Sequence, residues 1–211
     1  MPAVKKVTKE DIINASINII RESGIEKLST RNIASKLNCS TQPIFYHYSN
    51  MKELKKDVLK EISSLFDKAM LRSNYDKPAY KDIGKNYIAF AREEPALFHL
   101  LFNSNINDEV LCFVDLNGTN EIIGELISKQ TGLTKEEAKY FHLKMWLFVN
   151  GIASLVANNT FNFSDEEIDT LLGEQYMSMI LFEVQKGNAK KEIIDFYMNN
   201  KLKPKKNDNN E

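Results

Sequence analysis

The 211-residue sequence is poor in the residues that interrupt helices, with 8 glycines and 5 prolines. Its two cysteines, Cys39 and Cys112, stand far apart and match neither CxxC nor zinc-ligand spacing, so the sequence suggests neither a disulfide framework nor a metal knuckle. The sequence also lacks GxSxG, P-loop and HExxH motifs, and its three histidines are scattered. We therefore expect no metal, no cofactor and no enzymatic activity.

Long apolar runs are missing as well. No stretch of about 18 uncharged apolar residues occurs, and the first residues, "MPAVKKVTKEDII", lack the apolar core and cleavage site of a signal peptide. We expect a cytoplasmic protein without membrane contact. Hydrophobic residues make up 43% and charged residues 27%, enough to bury a core in one large domain or two small ones.

The net charge of −1 hides an uneven distribution. Residues 1–60 contain 11 Lys and Arg against 6 Asp and Glu, a net of +5, whereas the remaining 151 residues contain 17 against 23, a net of −6. A basic segment on an acidic body is expected when one end of a protein faces a polyanion. A chance fluctuation among solvated charges is the alternative interpretation.

Apolar residues recur mostly at helical spacing, which predicts an all-α fold. Thr8 is placed to cap a first helix over about 9–23, and Gly24 to end it in a left-handed conformation. Ser29 or Thr30 caps a short second helix, "RNIASKL". Asn38 then stands where a left-handed turn residue fits, and the third helix starts near Ser40. This pattern predicts a helix-turn-helix unit.

The rest of the chain is predicted to be a helical body. Asn50, with Glu53 three residues later, caps a long helix that links the two regions. Capping boxes at Thr134 and Ser164 mark the starts of two further long helices. The predicted helices beyond the link cover about 78–94, a segment begun by Pro95, an uncertain segment near 106–117, and about 119–131, 135–158, 165–186 and 189–200.

The third helix carries side chains suited to reading DNA. Ile44 and Phe45 are predicted to face the first two helices, and Tyr48 to cover their core. A helix-turn-helix unit presents its recognition helix to the major groove, where amides, hydroxyls and apolar groups contact base edges and polar groups contact phosphates. The residues predicted to project outward are Thr41, Gln42, Pro43, Tyr46 and His47. Pro43 disfavours helical geometry at Gln42, so the helix start is expected to shift by one or two residues.

The same stretch resembles the TetR family of bacterial transcriptional regulators. The similarity lies in "IINASINIIRESGIEKLSTRNIASKLNCSTQPIFYHYSNMKELKKDVL", and "YIAFAREEPALFHLLF" and "MWLFVNGIASLV" also resemble family segments. It implies an N-terminal three-helix helix-turn-helix DNA-binding domain (1–50) joined by the long helix to a C-terminal helical ligand-binding and dimerisation domain (51–201). A disordered polar tail (202–211) is predicted to follow.

By position, the resemblance implies DNA contacts. The matching positions are Thr30, Arg31, Thr41, Gln42, Pro43, Tyr46 and His47. Three residues depart from the family pattern: Asn38 replaces a glycine, Phe45 a tyrosine, and Met51 a lysine that touches phosphate. Lys52 or Lys55 is expected to supply that charge instead.

Large aromatic side chains are concentrated in the body, which favours an apolar cavity for a small molecule. Complete filling of the core by these rings is the alternative. The predicted pocket residues are Phe66, Met70, Tyr87, Phe90, Phe98, Phe102, Phe113, His142 and Trp146.

The helices at about 135–158 and 165–186 are apolar on more than one face, which requires more than one neighbour. They predict a four-helix homodimer interface, as the resemblance also implies, and a dimer would read a palindromic DNA operator. The leading hypothesis is a repressor released from double-stranded DNA by a largely apolar small-molecule effector. The alternatives are an effector-independent DNA- or partner-binding protein, an activator, and an all-helical enzyme.

Overall fold

The computed structural model describes residues 7–72, 80–103 and 119–195, and all regular structure within these ranges is helical, as predicted. The helices are α1 (Lys9–Ser23), α2 (Thr30–Lys36), α3 (Gln42–His47), α4 (Met51–Met70), α5 (Tyr80–Glu93), α6 (Pro95–Phe98, continued by a wide π turn at His99–Asn103), α7 (Thr119–Thr131), α8 (Lys135–Ala157) and α9 (Asp165–Gln185). Within these ranges no helix is long and apolar enough to cross a bilayer.

Helix α1 begins and ends close to where its sequence predicts. Thr8 accepts a hydrogen bond from the Asp11 amide, and the Asp11 carboxylate accepts one from the Thr8 amide, forming a capping box. Gly24 ends the helix with φ 79° and ψ 167°. This positive φ lies in the left-handed region that favours glycine, as predicted, although ψ is extended rather than helical.

A tight turn joins α2 to α3. Ser29 caps α2 by accepting from the Asn32 amide. At its other end the Cys39 amide donates to the Ala34 carbonyl and the Asn38 amide to the Ser35 carbonyl, the two bonds of a Schellman motif. Asn38 has φ 51°, in the left-handed region, as predicted.

Helix α4 links this N-terminal unit to the body. Asn50 Oδ1 caps it by accepting from the Glu53 amide, and the Glu53 carboxylate accepts from the Ser49 amide. Its buried face extends from Leu54 to Met70. The helix thus runs continuously from the end of α3 to the interior of the body, where α5 packs against α4, α6, α7, α8 and α9.

A bidentate ion pair connects the N-terminal unit to the body. Arg21 of α1 donates to both carboxylate oxygens of Glu94, at 2.8 and 2.7 Å, directly before Pro95 starts α6. Parallel bonds of this kind fix geometry as well as contributing energy. The orientation of α1 is therefore tied to the junction between α5 and α6.

An ion pair with a buried carboxylate connects helices α8 and α9. Both start with capping boxes, at Thr134 and Ser164, as predicted. The buried Glu183 of α9 accepts a hydrogen bond from Lys144 of α8 at 3.2 Å. Burial alone would raise the pKa of Glu183, but hydrogen bonds from Asn188 and Lys144 hold the pKa below its usual value.

Some predictions fall outside the described residues. They concern the segment near 106–117, the last part of the predicted 189–200 helix and the tail at 202–211. Within the described part of the predicted 189–200 helix, residues 192–195 are helical.

Candidate DNA interface and ligand cavity

Helix α3 exposes two aromatic rings side by side. Tyr46 is 83% exposed and Phe45 57% exposed, whereas Ile44 and Tyr48 are buried. The prediction that Phe45 faces α1 and α2 is wrong, because a helix of six residues buries one i, i+4 row, and here that row is Ile44 and Tyr48. Phe45 is thus an exposed side chain that the sequence reasoning had assigned to the core.

The other residues of this helix that were predicted to contact DNA differ in solvent exposure and in hydrogen bonding. Gln42 is exposed, and Thr41 and Pro43 are half-buried at the start of α3. His47 Nε2 lies 3.0 Å from the Val7 carbonyl oxygen, so this nitrogen must donate to that oxygen. His47 therefore holds the chain before α1 against α3, and only Nδ1 remains for another partner.

A cluster of three side chains fixes the end of α3 against α1 and α4. Tyr48 donates to the Asp57 carboxylate at 3.3 Å, and Lys9 Nζ lies 2.6 Å from the same carboxylate. The Lys9 ammonium also lies 4.9 Å from the centre of the Tyr48 ring. Burial, reinforced by Asp57, raises the pKa of Tyr48, which keeps the phenol protonated.

The basic residues of this unit lie on helices beside α3. Arg31 on α2 and Lys52 and Lys55 on α4 are exposed, and Thr30 is half-buried. Met51 packs against the core. The first turn of α4 therefore offers cations at Lys52 and Lys55, while position 51 is part of the hydrophobic packing.

The body contains a cavity of about 500 Å³, a volume typical of small-molecule sites. Helices α5, α8 and α9 form its walls, and the end of α4 and the segment after α9 complete it. The lining residues are Met70, Tyr80, Lys81, Ile83, Gly84, Tyr87, Gln130, His142, Met145, Trp146, Val149, Leu172, Gly173, Tyr176, Lys190, Glu192 and Ile193.

Of the predicted pocket residues, Met70, Tyr87, His142 and Trp146 line this cavity. The prediction needs correction for four phenylalanines, Phe66, Phe90, Phe98 and Phe102, which do not line it. Their rings and that of Tyr87 pack on one another with centroid separations of 5.0 to 5.7 Å, because edge-to-face packing fills space between helices. Phe113 lies outside the described residues.

Two hydrogen-bonded pairs provide polarity among the aromatic walls. The Tyr80 hydroxyl lies 3.1 Å from His142 Nδ1, and the Tyr87 hydroxyl donates to Asn150 Oδ1 at 2.9 Å. Neither spacing nor periodicity marked Tyr80 as a cavity residue, since its partner lies 62 residues away in the chain.

The buried polar groups of the cavity are uncharged at neutral pH. Burial lowers the pKa of His142 to about 4 and raises the pKa of Tyr80 and of Tyr87. The charged lining residues reach solvent instead: Lys190 and Glu192 are exposed, and Lys81 pairs with Asp169 at 2.6 Å. The walls are therefore neutral and the rim is charged.

Apolar side chains also remain exposed along α8 and α9. On α8 they recur every three or four residues and share one face, together with the exposed Gly151. We call this surface the dimer stripe, after the role proposed for it below, and it consists of Tyr140, Leu143, Leu147, Leu155, Leu181 and Phe182. An apolar surface of this kind is typical of a protein interface.

Solved structures share this fold at low sequence identity. A TetR-family transcriptional regulator from Streptomyces coelicolor is 12% identical with a TM-score of 0.69, covering 90% of this chain and 86% of its own. A single-substitution variant of TetR from Acinetobacter baumannii AYE, in complex with minocycline, is 15% identical with a TM-score of 0.56, covering 85% and 98%. BioQ with its natural double-stranded DNA operator is 14% identical with a TM-score of 0.51, covering 81% and 99%. No curated protein matches the chain.

The fold is all-helical, as in the TetR-family regulators above, and a helix-turn-helix unit is joined by one long helix to a body with a cavity. Residues 80–176 match the family model of the tetracyclin repressor-like C-terminal domain. This match covers less than half of the chain, and the solved structures above show that the fold over most of the chain is shared with TetR-family regulators.

Proposed function

We propose that this protein is a dimeric repressor that reads a palindromic operator and is released from it by a largely apolar small molecule. The observation that carries the proposal is the exposed face of α3, where Gln42, Phe45 and Tyr46 project from a net-basic N-terminal segment. An amide and a phenol suit base edges and phosphates, and a phenyl ring suits a thymine methyl group. The BioQ complex, a structural neighbour, contains operator DNA.

The residues proposed to contact DNA follow from this exposure. Tyr46, Gln42 and Phe45 are assigned to the groove, with Thr41 and Pro43 at the start of the helix. Thr30, Arg31 and Lys52 are assigned to the phosphates, since α2 and the first turn of α4 flank α3. His47 is assigned to positioning through Val7 rather than to base contact.

The dimer stripe is proposed to pair with its copy on a second protomer. Two helices from each protomer would then form a four-helix interface with two-fold symmetry. Each position of the dimer stripe occurs once on each protomer and is buried on both. Such a dimer places two α3 helices about one DNA turn apart, roughly 34 to 36 Å, which matches two half-sites of a palindrome. We propose residues 1–50 as the DNA-binding unit, residues 51–201 as the body and a cytoplasmic location.

The ligand is proposed to act through α4. This helix starts at the end of α3 and ends at Met70 on the cavity wall, so a ligand that shifts Met70 also shifts the base of the DNA-binding unit. The Arg21–Glu94 pair provides a second connection, through α1 and α6. The size of the response is limited by the difference in ligand affinity between the two arrangements of the dimer.

The test is selection of bound sequences from a random duplex library at about 0.15 M salt, which suppresses non-specific phosphate binding. We expect a palindrome to be enriched, and Tyr46→Ala and Gln42→Ala to lower affinity for it by about 1 to 3 kcal/mol each. Phe161→Ala, another exposed aromatic position, lies between α8 and α9 and serves as the matched control. If all three variants bind the selected sequence as tightly as the wild type, α3 does not read the DNA bases.

Repression and activation are separated by a transcription assay on the selected operator. A repressor lowers transcription from a promoter that contains the operator, and the effector restores it. An increase in transcription on protein addition would instead establish an activator, and an operator complex indifferent to every cavity ligand would establish an effector-independent protein.

A further inference from the structure

We propose that the cavity takes an aromatic ligand whose buried part is uncharged and carries a hydrogen-bond acceptor, held by the Nε2–H group of His142. This inference rests on the proposed function, because it identifies the chemical class of the effector. It is carried by the geometry of the Tyr80–His142 pair and by the placement of charge around the cavity.

The hydrogen bonding of Tyr80 determines which nitrogen of His142 carries the proton. If Nδ1 donated to the Tyr80 oxygen, the buried hydroxyl hydrogen of Tyr80 would have no acceptor among the described residues. A buried donor without a partner is unfavourable, so Tyr80 donates and Nδ1 accepts. The neutral imidazole then carries its proton on Nε2.

The Nε2–H group of His142 is a donor that remains available to a ligand. The ring lines the cavity, and within the described ranges Nε2 has no hydrogen-bond partner. Tyr87, the other buried hydroxyl on the wall, already donates to Asn150. A carbonyl oxygen or a ring nitrogen on the ligand would satisfy His142 without disturbing either pair.

The walls set the remaining properties of the ligand. Tyr80, Tyr87, Trp146 and Tyr176 present aromatic surfaces, which favour stacked or edge-to-face contact with another ring. Among the described residues the interior provides no charge to pair with an ion, since the charged lining residues lie at the rim. Transfer of an unpaired ion from water to such a wall is strongly unfavourable.

Three molecules with one skeleton test the inference on the full-length protein. Diphenylmethane has two rings and no acceptor, benzophenone adds a carbonyl oxygen, and diphenylacetate places a carboxylate on the same central carbon. Binding is measured by calorimetry and by fluorescence of Trp146, which is the single tryptophan of the chain and lines the cavity. This comparison uses the wild-type protein and does not depend on the folding of any variant.

We expect benzophenone to bind roughly three- to tenfold more tightly than diphenylmethane, the contribution of one neutral hydrogen bond. Diphenylacetate should bind at least about tenfold more weakly than benzophenone, because its charge is desolvated without a partner. In His142→Phe the preference for the ketone should disappear. In His142→Gln, which keeps a side-chain donor, part of it should return. Phe161→Ala, outside both the cavity and the dimer stripe, should behave as wild type.

Equal binding of benzophenone and diphenylmethane would overturn the assignment of His142 as the donor. Tightest binding of diphenylacetate would overturn the uncharged class, and a failure of all three to bind would overturn the aromatic class. Operator binding is measured separately: protein that binds DNA but no probe refutes the ligand inference alone. Protein that binds benzophenone through His142 but selects no DNA sequence refutes the proposed function alone.

Discussion

Replacement of Leu147 by glutamate would place a carboxylate in the centre of the dimer stripe, and therefore twice in the proposed dimer interface. Leu147 is 58% exposed in the single chain, and covering that fraction of a leucine side chain contributes about 1 to 2 kcal/mol. A two-fold interface contains the residue twice, which doubles the loss to about 2 to 4 kcal/mol. Desolvation of two unpaired carboxylates adds about 2 kcal/mol or more. The dissociation constant of the proposed dimer should therefore rise at least about a thousandfold.

The assay is sedimentation equilibrium over a range of protein concentrations, with circular dichroism to confirm that the variant is folded. Ile122→Glu is the matched control, since Ile122 is 45% exposed on α7 and lies outside the dimer stripe. We expect Leu147→Glu to be monomeric where the wild type and Ile122→Glu are dimeric. A dimer unaffected by Leu147→Glu, or equally weakened by both substitutions, would refute the assignment of this surface.

Three further predictions concern stability, each measured by urea unfolding. The pKa of His142 is about 4 in the folded protein and 6.5 in the unfolded chain. Between these two pH values the unfolded chain therefore binds a proton that the folded protein does not bind. Stability should therefore fall by up to about 3 kcal/mol as pH drops from 7 to 4, and an equal acid loss in His142→Phe would contradict this. A double-mutant cycle of Arg21→Gln and Glu94→Gln should give a coupling energy of roughly 1 kcal/mol; zero coupling would show that the ion pair does not join the two regions. Asn50→Ala should destabilise by about 1 kcal/mol and Asn50→Asp much less, because aspartate keeps the capping oxygen; equal losses would argue against the cap.

Helix α3 shows which features local sequence patterns predict and which they do not. The turn at Asn38 and the burial of Ile44 and Tyr48 follow from chain-local geometry, and the sequence analysis identified them. The position of Phe45 depends on the rotation of a short helix whose start is shifted by Pro43. A helix this short buries one row of side chains, and packing against its neighbours decided that this row is Ile44 and Tyr48, which is why Phe45 was assigned to the wrong face.

The cavity residues were harder to predict from the sequence, for a different reason. An aromatic-rich body is visible in the composition, but composition does not distinguish rings that pack on one another from rings that border a space. Phe66, Phe98 and Phe102 proved to be mutually packed, whereas Tyr80 and Tyr176, which the sequence analysis had not selected, line the cavity. That difference depends on how α5, α8 and α9 are spaced, and no periodicity along one helix contains this information.

By itself, the sequence determined the helices and where they begin, because caps such as Thr8, Thr134 and Ser164 act on amides three residues away. It also determined the helix-turn-helix order and the basic charge of the first 60 residues. The tertiary structure alone decided that Arg21 meets Glu94, 73 residues later, and that Tyr80 meets His142, 62 residues later. The physical reason is that these contacts depend on how separate helices pack, and packing is decided jointly by residues distant in the chain.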